Sequence, residues 1–305
     1  MFPTFLLSLN FTAESESNTP NGQMMGIRPF PPESMRISEH EPGIIPKAFL
    51  NTTSIEEEMG SLPILHMNQS LVFHHTTDKI LFSNNNNNDR PDNPVKVNLQ
   101  TEIVSLRPRK IGTFVTSETK YYYRDYCIAT GKMTALVYGL SPNKVIPWQR
   151  TQTKNNSCNN NVPKISVTEK KKTVYKVTIL SHATLLYRLS GDYNPIHVEG
   201  TSGDDQGAIL HGLCTLGYAT RIILMHVKTM TEKSDDVRLT AIRCNFVKPV
   251  YVGDILHIEV WAPIICNTTI DGNTSINFRV LRVASKETVV DEGVAEFKGK
   301  ISSKL

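Results

Sequence analysis

The chain has 305 residues, of which 39% are hydrophobic and 8% aromatic, enough to bury one large core or two modest ones. A formal net charge of +4, spread over scattered Lys and Arg, excludes a strongly basic nucleic-acid surface, and no apolar segment is long enough to cross a membrane. The five cysteines, Cys127, Cys158, Cys214, Cys244 and Cys266, are odd in number and show no CxxC or Cys/His metal spacing, which favours a reducing compartment over a disulfide framework.

In chain order, the opening is rich in Ser, Pro, Glu and Asn, and disorder is expected over 1–23. Within 24–150, Leu65 to Phe73, Val95 to Leu106, Thr113 to Tyr123 and Ala129 to Tyr138 alternate as strands do. The run Asn84 to Asn88 reads as a loop. Residues 151–172, with the Asn-rich stretch Asn155 to Asn161 and the triplet Lys170-Lys171-Lys172, read as a solvated linker.

From 173 to 300 the pattern sharpens. Val174 to Ile179 reads as a strand, and a short helix opens at Ser181 or His182 and runs through Tyr187 and Arg188. A second helix starts at Gly212 and carries the apolar run Leu213 to Leu224, long enough to be buried and central. Four strands follow, Val237 to Phe246, Ile255 to Ala262, Ile276 to Val283 and Thr288 to Lys298, with turns at Gly253-Asp254 and Asp271-Gly272-Asn273. Several antiparallel strands around one helix is an α+β arrangement.

Between the two helices lies Ser190-Gly191-Asp192-Tyr193-Asn194-Pro195-Ile196-His197, followed by Ile209-Leu210-His211-Gly212. Gly191 permits a turn closed to other residues, and Pro195 fixes its own φ and pushes Asn194 out of the α region. Asp192 and His197 project from this stiffened bend, where a carboxylate and a neutral imidazole can share one water. Asp and Asn beside Gly and Pro are also ordinary turn chemistry. The His at a fixed offset, with a second His-Gly at a helix start, tips the balance toward catalysis. The free N–H groups and positive dipole end of the helix opening at Gly212 can stabilise a developing oxyanion.

These two strings resemble the signature of the hydratase 2 family, the MaoC-like hot-dog enzymes, and Phe246-Val247-Lys248-Pro249-Val250-Tyr251 resembles that family's next strand and turn. The resemblance covers about Val174 to Lys298 and fades in the first half. It implies a double hot dog: an antiparallel sheet wrapped round a central helix, two units in one chain, the first degenerate and shaping a tunnel for the acyl chain. It implies that Asp192 and His197 activate a water, that Asn194 helps to orient it, and that the Gly212 N–H faces a thioester oxygen. It also implies contacts of His66, Lys110 and Phe246 with the substrate. The implied reaction adds water to a trans-2-enoyl-CoA to give the (3R)-3-hydroxyacyl-CoA, with no metal and no redox cofactor, coenzyme A entering only as part of the substrate. The family pattern differs at Val198 to Ala208, which is three residues shorter and acidic, with Glu199, Gly200 and Ala208 where relatives carry Asp, Pro and Pro.

The alternative is a catalytically weak acyl-CoA-binding hot-dog protein, or a partner of an active homologue. A thioesterase fits the Asp-Asn-His signature less well. The last residues, 301–305, end in Ser303-Lys304-Leu305, a tripeptide read by the peroxisomal import receptor when free at the C-terminus, which points to the peroxisome and to fatty acid β-oxidation. The triplets at Asn51 and Asn267 and the apolar Met1 to Leu9 raise a secreted alternative, which the absence of a basic n-region and a cleavage site disfavours. No dinucleotide-binding Gly motif accompanies the hydratase signature. A homodimer is compatible with this reading but not required by it, because two hot dogs in one chain already pair.

Overall fold

The computed structural model describes residue 62 and residues 64–74, 97–150, 172–190, 192, 194–198, 200, 207–230, 237–261, 264–265 and 273–299. They fall into two compact units, one within 42–171 and the other drawing on 172–305. The expectations for 1–23, Asn84 to Asn88, Asn155 to Asn161, Asn51, Asn267 and Ser303-Lys304-Leu305 lie outside the described residues.

The first unit is an antiparallel meander. Strands β1 (Ile64–Phe73), β2 (Asn98–Arg109), β3 (Gly112–Tyr123), β4 (Tyr126–Tyr138) and the short β5 (Trp148–Gln149) lie in the order β5-β2-β3-β4-β1. Alternation sorts the faces: Val115, Tyr121, Ala129, Ala135 and Val137 are buried, whereas Arg107, Glu118 and Lys132 belong to the opposite face. Leu106, Val115, Val137, Leu140 and Val145 form one core cluster, with Trp148 packed against it. The β2–β3 hairpin requires glycine at 112, where φ is +145° and a Cβ would sit 2.2 Å from the Val137 carbonyl oxygen. Among the described residues of this unit, the helical content is a single 3₁₀ turn, Pro142–Lys144.

The second unit contains β6 (Lys172–Thr178), helix α1 (Ala183–Arg188), a 3₁₀ turn at Pro195–His197, helix α2 (Gly212–Met230), β7 (Arg238–Phe246), β8 (Ile255–Trp261), β9 (Ile264–Ile265), β10 (Asn273–Arg282) and β11 (Thr288–Lys298). Its sheet runs β7-β11-β10-β8-β6, with β9 on β10. Leu213, Leu216, Ala219, Thr220, Ile223, Val227 and Met230 recur every three or four residues along α2 and are buried, the stripe expected of a helix packed on a sheet. Tyr175 Oη and His226 Nδ1, 2.7 Å apart, tie β6 to α2 directly. Helix α2 runs on past the apolar stretch to Met230.

One boundary is corrected. Lys172, expected in the linker, opens β6 opposite Trp261, because its ammonium reaches Glu259 Oε1 at 2.5 Å. Glu259 is 7% exposed, and Arg279 Nη2 at 2.7 Å supplies the second cation that a buried carboxylate needs.

Candidate active site

The chemistry-bearing bend sits between α1 and α2. Ser190 closes α1 by donating its hydroxyl to the Tyr187 carbonyl at 2.6 Å. Asn194, with φ −54° and ψ 124°, is held outside the helical region as Pro195 demands, and its Oδ1 accepts from the Ile196 N–H at 3.3 Å, capping the 3₁₀ turn. The Asn194 N–H in turn donates to Asp192 Oδ1 at 3.3 Å. Asn194 therefore locks the bend through its Oδ1 and its backbone N–H. Gly191, Tyr193 and Glu199 are outside the described residues.

The two reactive groups converge. His197 Nε2 lies 3.8 Å from Asp192 Oδ2, with His197 7% exposed. His197 Nδ1 is 2.7 Å from the Ile209 carbonyl oxygen; a carbonyl only accepts, so Nδ1 carries the proton and the Nε2 lone pair faces the carboxylate. Burial holds the His197 pKa below the usual 6.5, against the raising effects of the Ile209 carbonyl and Asp192. Two acceptors at this separation cannot bond each other, but a water donating one hydrogen to each bridges them.

His211 completes the cluster and was not among the candidate residues read from sequence. Its ring stacks on His197 with centroids 3.6 Å apart and planes inclined by 21°. Its Nε2 donates to the Asp192 carbonyl at 3.4 Å and lies 4.0 Å from Asp192 Oδ2. Burial and the neighbouring His197 lower its pKa to about 4, so it is neutral at pH 7. Tyr187 tilts against it with centroids 4.6 Å apart, and burial raises the phenol pKa. Tyr187 Oη and His211 Nδ1 are buried without a hydrogen-bond partner among the described residues.

Gly212 opens α2 immediately after. The first i to i−4 bond runs from the Thr215 N–H to the His211 carbonyl at 3.1 Å, leaving the N–H groups of the first turn for an anion. A Cβ on Gly212 would meet the Phe246 ring at 3.3 to 3.4 Å, so close approach to Phe246 explains the glycine. Gly200 and Gly207 approach as a glycine neck: Gly200 has φ +77°, and a Cβ there would lie 2.6 Å from the Gly207 carbonyl oxygen. His66 and Lys110 belong to the other unit, His66 with Nε2 3.1 Å from the Asn68 carbonyl and Lys110 exposed in the β2–β3 turn. In that unit a polar cavity of about 360 Å³ is lined by Arg107, Glu118, Lys132 and Arg150, where Arg150 pairs with Glu102 and Glu118.

Asp192, His197 and His211 offer ligand atoms within 4.8 Å of one another. His211 Nε2 already donates to the Asp192 carbonyl, so its ring has no lone pair on the nitrogen nearest Asp192, while the lone pair of His197 is on Nε2. A metal ion requires converging lone pairs, so the cluster suits a proton-donating occupant instead. Cys214, in the first turn of α2, is no nucleophile, since burial pushes its thiol up to about 12.

Comparison with known proteins shows what the chain is similar to. Residues 163–280 match the MaoC like domain. The chain is 44% identical over 87 residues to peroxisomal multifunctional enzyme type 2 of Mus musculus, covering 28% of this chain and 11% of that protein. It is 42% identical over 80 residues to the peroxisomal enoyl-CoA hydratase 2 of Arabidopsis thaliana, covering 25% of each. The chain thus spans a quarter or less of the length of these two relatives. The crystal structure of a MaoC-like dehydratase from Phytophthora capsici superposes with a TM-score of 0.54 at 21% identity, covering 78% of this chain and 72% of that one. The fold is an α+β hot dog.

Proposed function

We propose, from the match of residues 163–280 to the MaoC like domain and from the hydratase names of the relatives, that this protein adds water to trans-2-enoyl-CoA thioesters to give (3R)-3-hydroxyacyl-CoA. The observation that carries the reading is the facing of Asp192 Oδ2 and His197 Nε2 at 3.8 Å beside the first turn of α2.

In this mechanism one water donates a hydrogen to each acceptor and turns its oxygen lone pair toward C3 of the enoyl group. As the C3–O bond forms, one water proton passes to the Asp192–His197 pair and the π electrons move to the thioester oxygen. That oxygen faces the Gly212 N–H and the positive end of α2, which are set before negative charge develops; losing one such donor typically costs about a hundredfold or more in rate. The pair then returns the proton to C2, so the product gains one water and the enzyme is unchanged. Asn194 holds Asp192 through its backbone N–H and contributes its amide donors to the water. Phe246, close to Gly212, packs at the thioester end. The chemistry draws on no metal and no redox cofactor.

The peroxisomal names of the relatives support a peroxisomal location and a role in fatty acid β-oxidation. A homodimer is compatible with this role. The test mixes the purified chain with a trans-2-enoyl-CoA and follows loss of the conjugated thioester absorbance, with chiral analysis of the product. Formation of the (3R) alcohol supports the proposal; tight thioester binding without turnover would favour the acyl-CoA-binding alternative.

A further inference from the structure

We infer that Arg282, remote in sequence from the catalytic bend, is a positioning residue that fixes the His197 tautomer through the backbone of segments 249–254 and 208–210. The inference deepens the hydratase reading and rests on it.

The chain of contacts is continuous. Arg282, 9% exposed at the end of β10, donates Nε to Asp254 Oδ2 at 3.0 Å, Nη1 to Glu287 Oε2 at 3.3 Å and Nη2 to the Pro249 carbonyl, and its guanidinium lies 5.1 Å from the centre of the Tyr251 ring. The same Asp254 oxygen accepts from the Tyr251 N–H at 2.8 Å. A planar fork thus holds both ends of the turn 249–254, which a point-charge ammonium cannot do.

That turn carries the segment leading into α2. Tyr251 pairs with Ile209 in an antiparallel bridge, the Leu210 N–H donates to the Val250 carbonyl at 2.7 Å, and the Val252 N–H donates to the Ala208 carbonyl at 3.3 Å. Ile209, held on both sides, donates its N–H to Ile196 at 3.1 Å and offers its carbonyl to His197 Nδ1 at 2.7 Å. That carbonyl holds the proton on Nδ1 against the pull of the Asp192 carboxylate on Nε2. If it drifts, the ring can protonate at Nε2 instead, and the lone pair facing Asp192 is lost.

The experiment records the imidazole nitrogen spectrum of His197 at pH 8 in the whole chain, assigned against His197→Gln, for wild type, Arg282→Met, Arg282→Lys and Asp254→Asn, with circular dichroism and hydration kinetics on the same samples. Wild type is expected to hold the proton on Nδ1 alone. Arg282→Met is expected to show a mixture of tautomers, with kcat lower by about tenfold and KM within about twofold; the other two variants should fall between. A folded Arg282→Met with the wild-type tautomer and kcat overturns the inference. If Arg282→Met does not fold, Arg282→Lys and Asp254→Asn carry the same decision, and unfolding of all three would assign Arg282 to stability alone and overturn it too. A wild type without hydratase activity defeats the functional reading, whereas the tautomer spectrum still decides the role of Arg282.

Discussion

The imidazoles of His197 and His211 stack with centroids 3.6 Å apart, and both turn Nε2 toward the same Asp192 oxygen, at 3.8 and 4.0 Å. Two imidazolium ions could not stack at that separation beside the Arg188 guanidinium, whose charge also lowers both pKa values. The stack is built from neutral rings, which keeps the His197 lone pair available.

The acid limb of kcat/KM follows from this. His197 must be neutral to accept a hydrogen bond from water, and burial keeps its pKa below 6.5 despite Asp192. Activity should therefore persist as pH falls through 6.5 and be lost only at lower pH. A pH–rate profile whose acid limb lies above 6.5 would contradict the buried, neutral assignment.

Stability should fall in the same range. A histidine whose folded pKa is depressed binds protons more readily when unfolded, so its contribution is complete above the unfolded value of 6.5 and is lost as pH falls toward the folded value, about 4 for His211. Urea unfolding between pH 7 and pH 4 should show a declining free energy, with a shallower decline in His211→Phe. An unchanged slope in that variant would remove His211 from the titration.

Gly212→Ala places a methyl group 3.3 to 3.4 Å from the Phe246 ring, at the turn whose N–H groups are proposed to face the thioester oxygen. The variant should stay folded and lose about tenfold or more in kcat, since a displacement of about an ångström can cost a hundredfold. Adding Phe246→Leu should return part of the loss. No change in kcat for Gly212→Ala would count against an oxyanion role for this helix start.

Gly200→Ala tests the loop neck. A Cβ 2.6 Å from the Gly207 carbonyl oxygen at φ +77° should destabilise the fold by about 1 to 3 kcal/mol. Thermal unfolding reads this directly, and an unshifted midpoint would show that the neck relaxes freely.

Where local pattern and packing agree, the sequence was legible. Strand β11 runs from Thr288 to Lys298 as expected, with Gly293, Ala295 and Phe297 alternating on its buried face beyond a bulge between Asp291 and Val294. The apolar run that marks helix α2 ends at Leu224, whereas its buried stripe continues through His226, Val227 and Met230, because Lys228 and Thr229 interrupt the run without interrupting the helical spacing. Strand β4 begins at Tyr126 rather than Ala129, because the β3–β4 turn at Arg124-Asp125 puts Arg124 at φ +52° without the Gly or Asn that marks such turns. In the site, Asp192, His197 and Gly212 stand in a motif of local spacing. Ile209, Tyr187 and the His211 stack act through contacts across the bend, and Arg282 sits in another strand altogether, where no local spacing points to it.

The central claim is that Asp192 and His197 together activate one water. Turnover of a trans-2-enoyl-CoA by wild type, Asp192→Asn and His197→Gln tests it most directly, with circular dichroism confirming the fold. Each substitution removes a proton acceptor at nearly constant volume and should lower kcat by about a hundredfold or more. Near-native turnover in either folded variant would contradict the account.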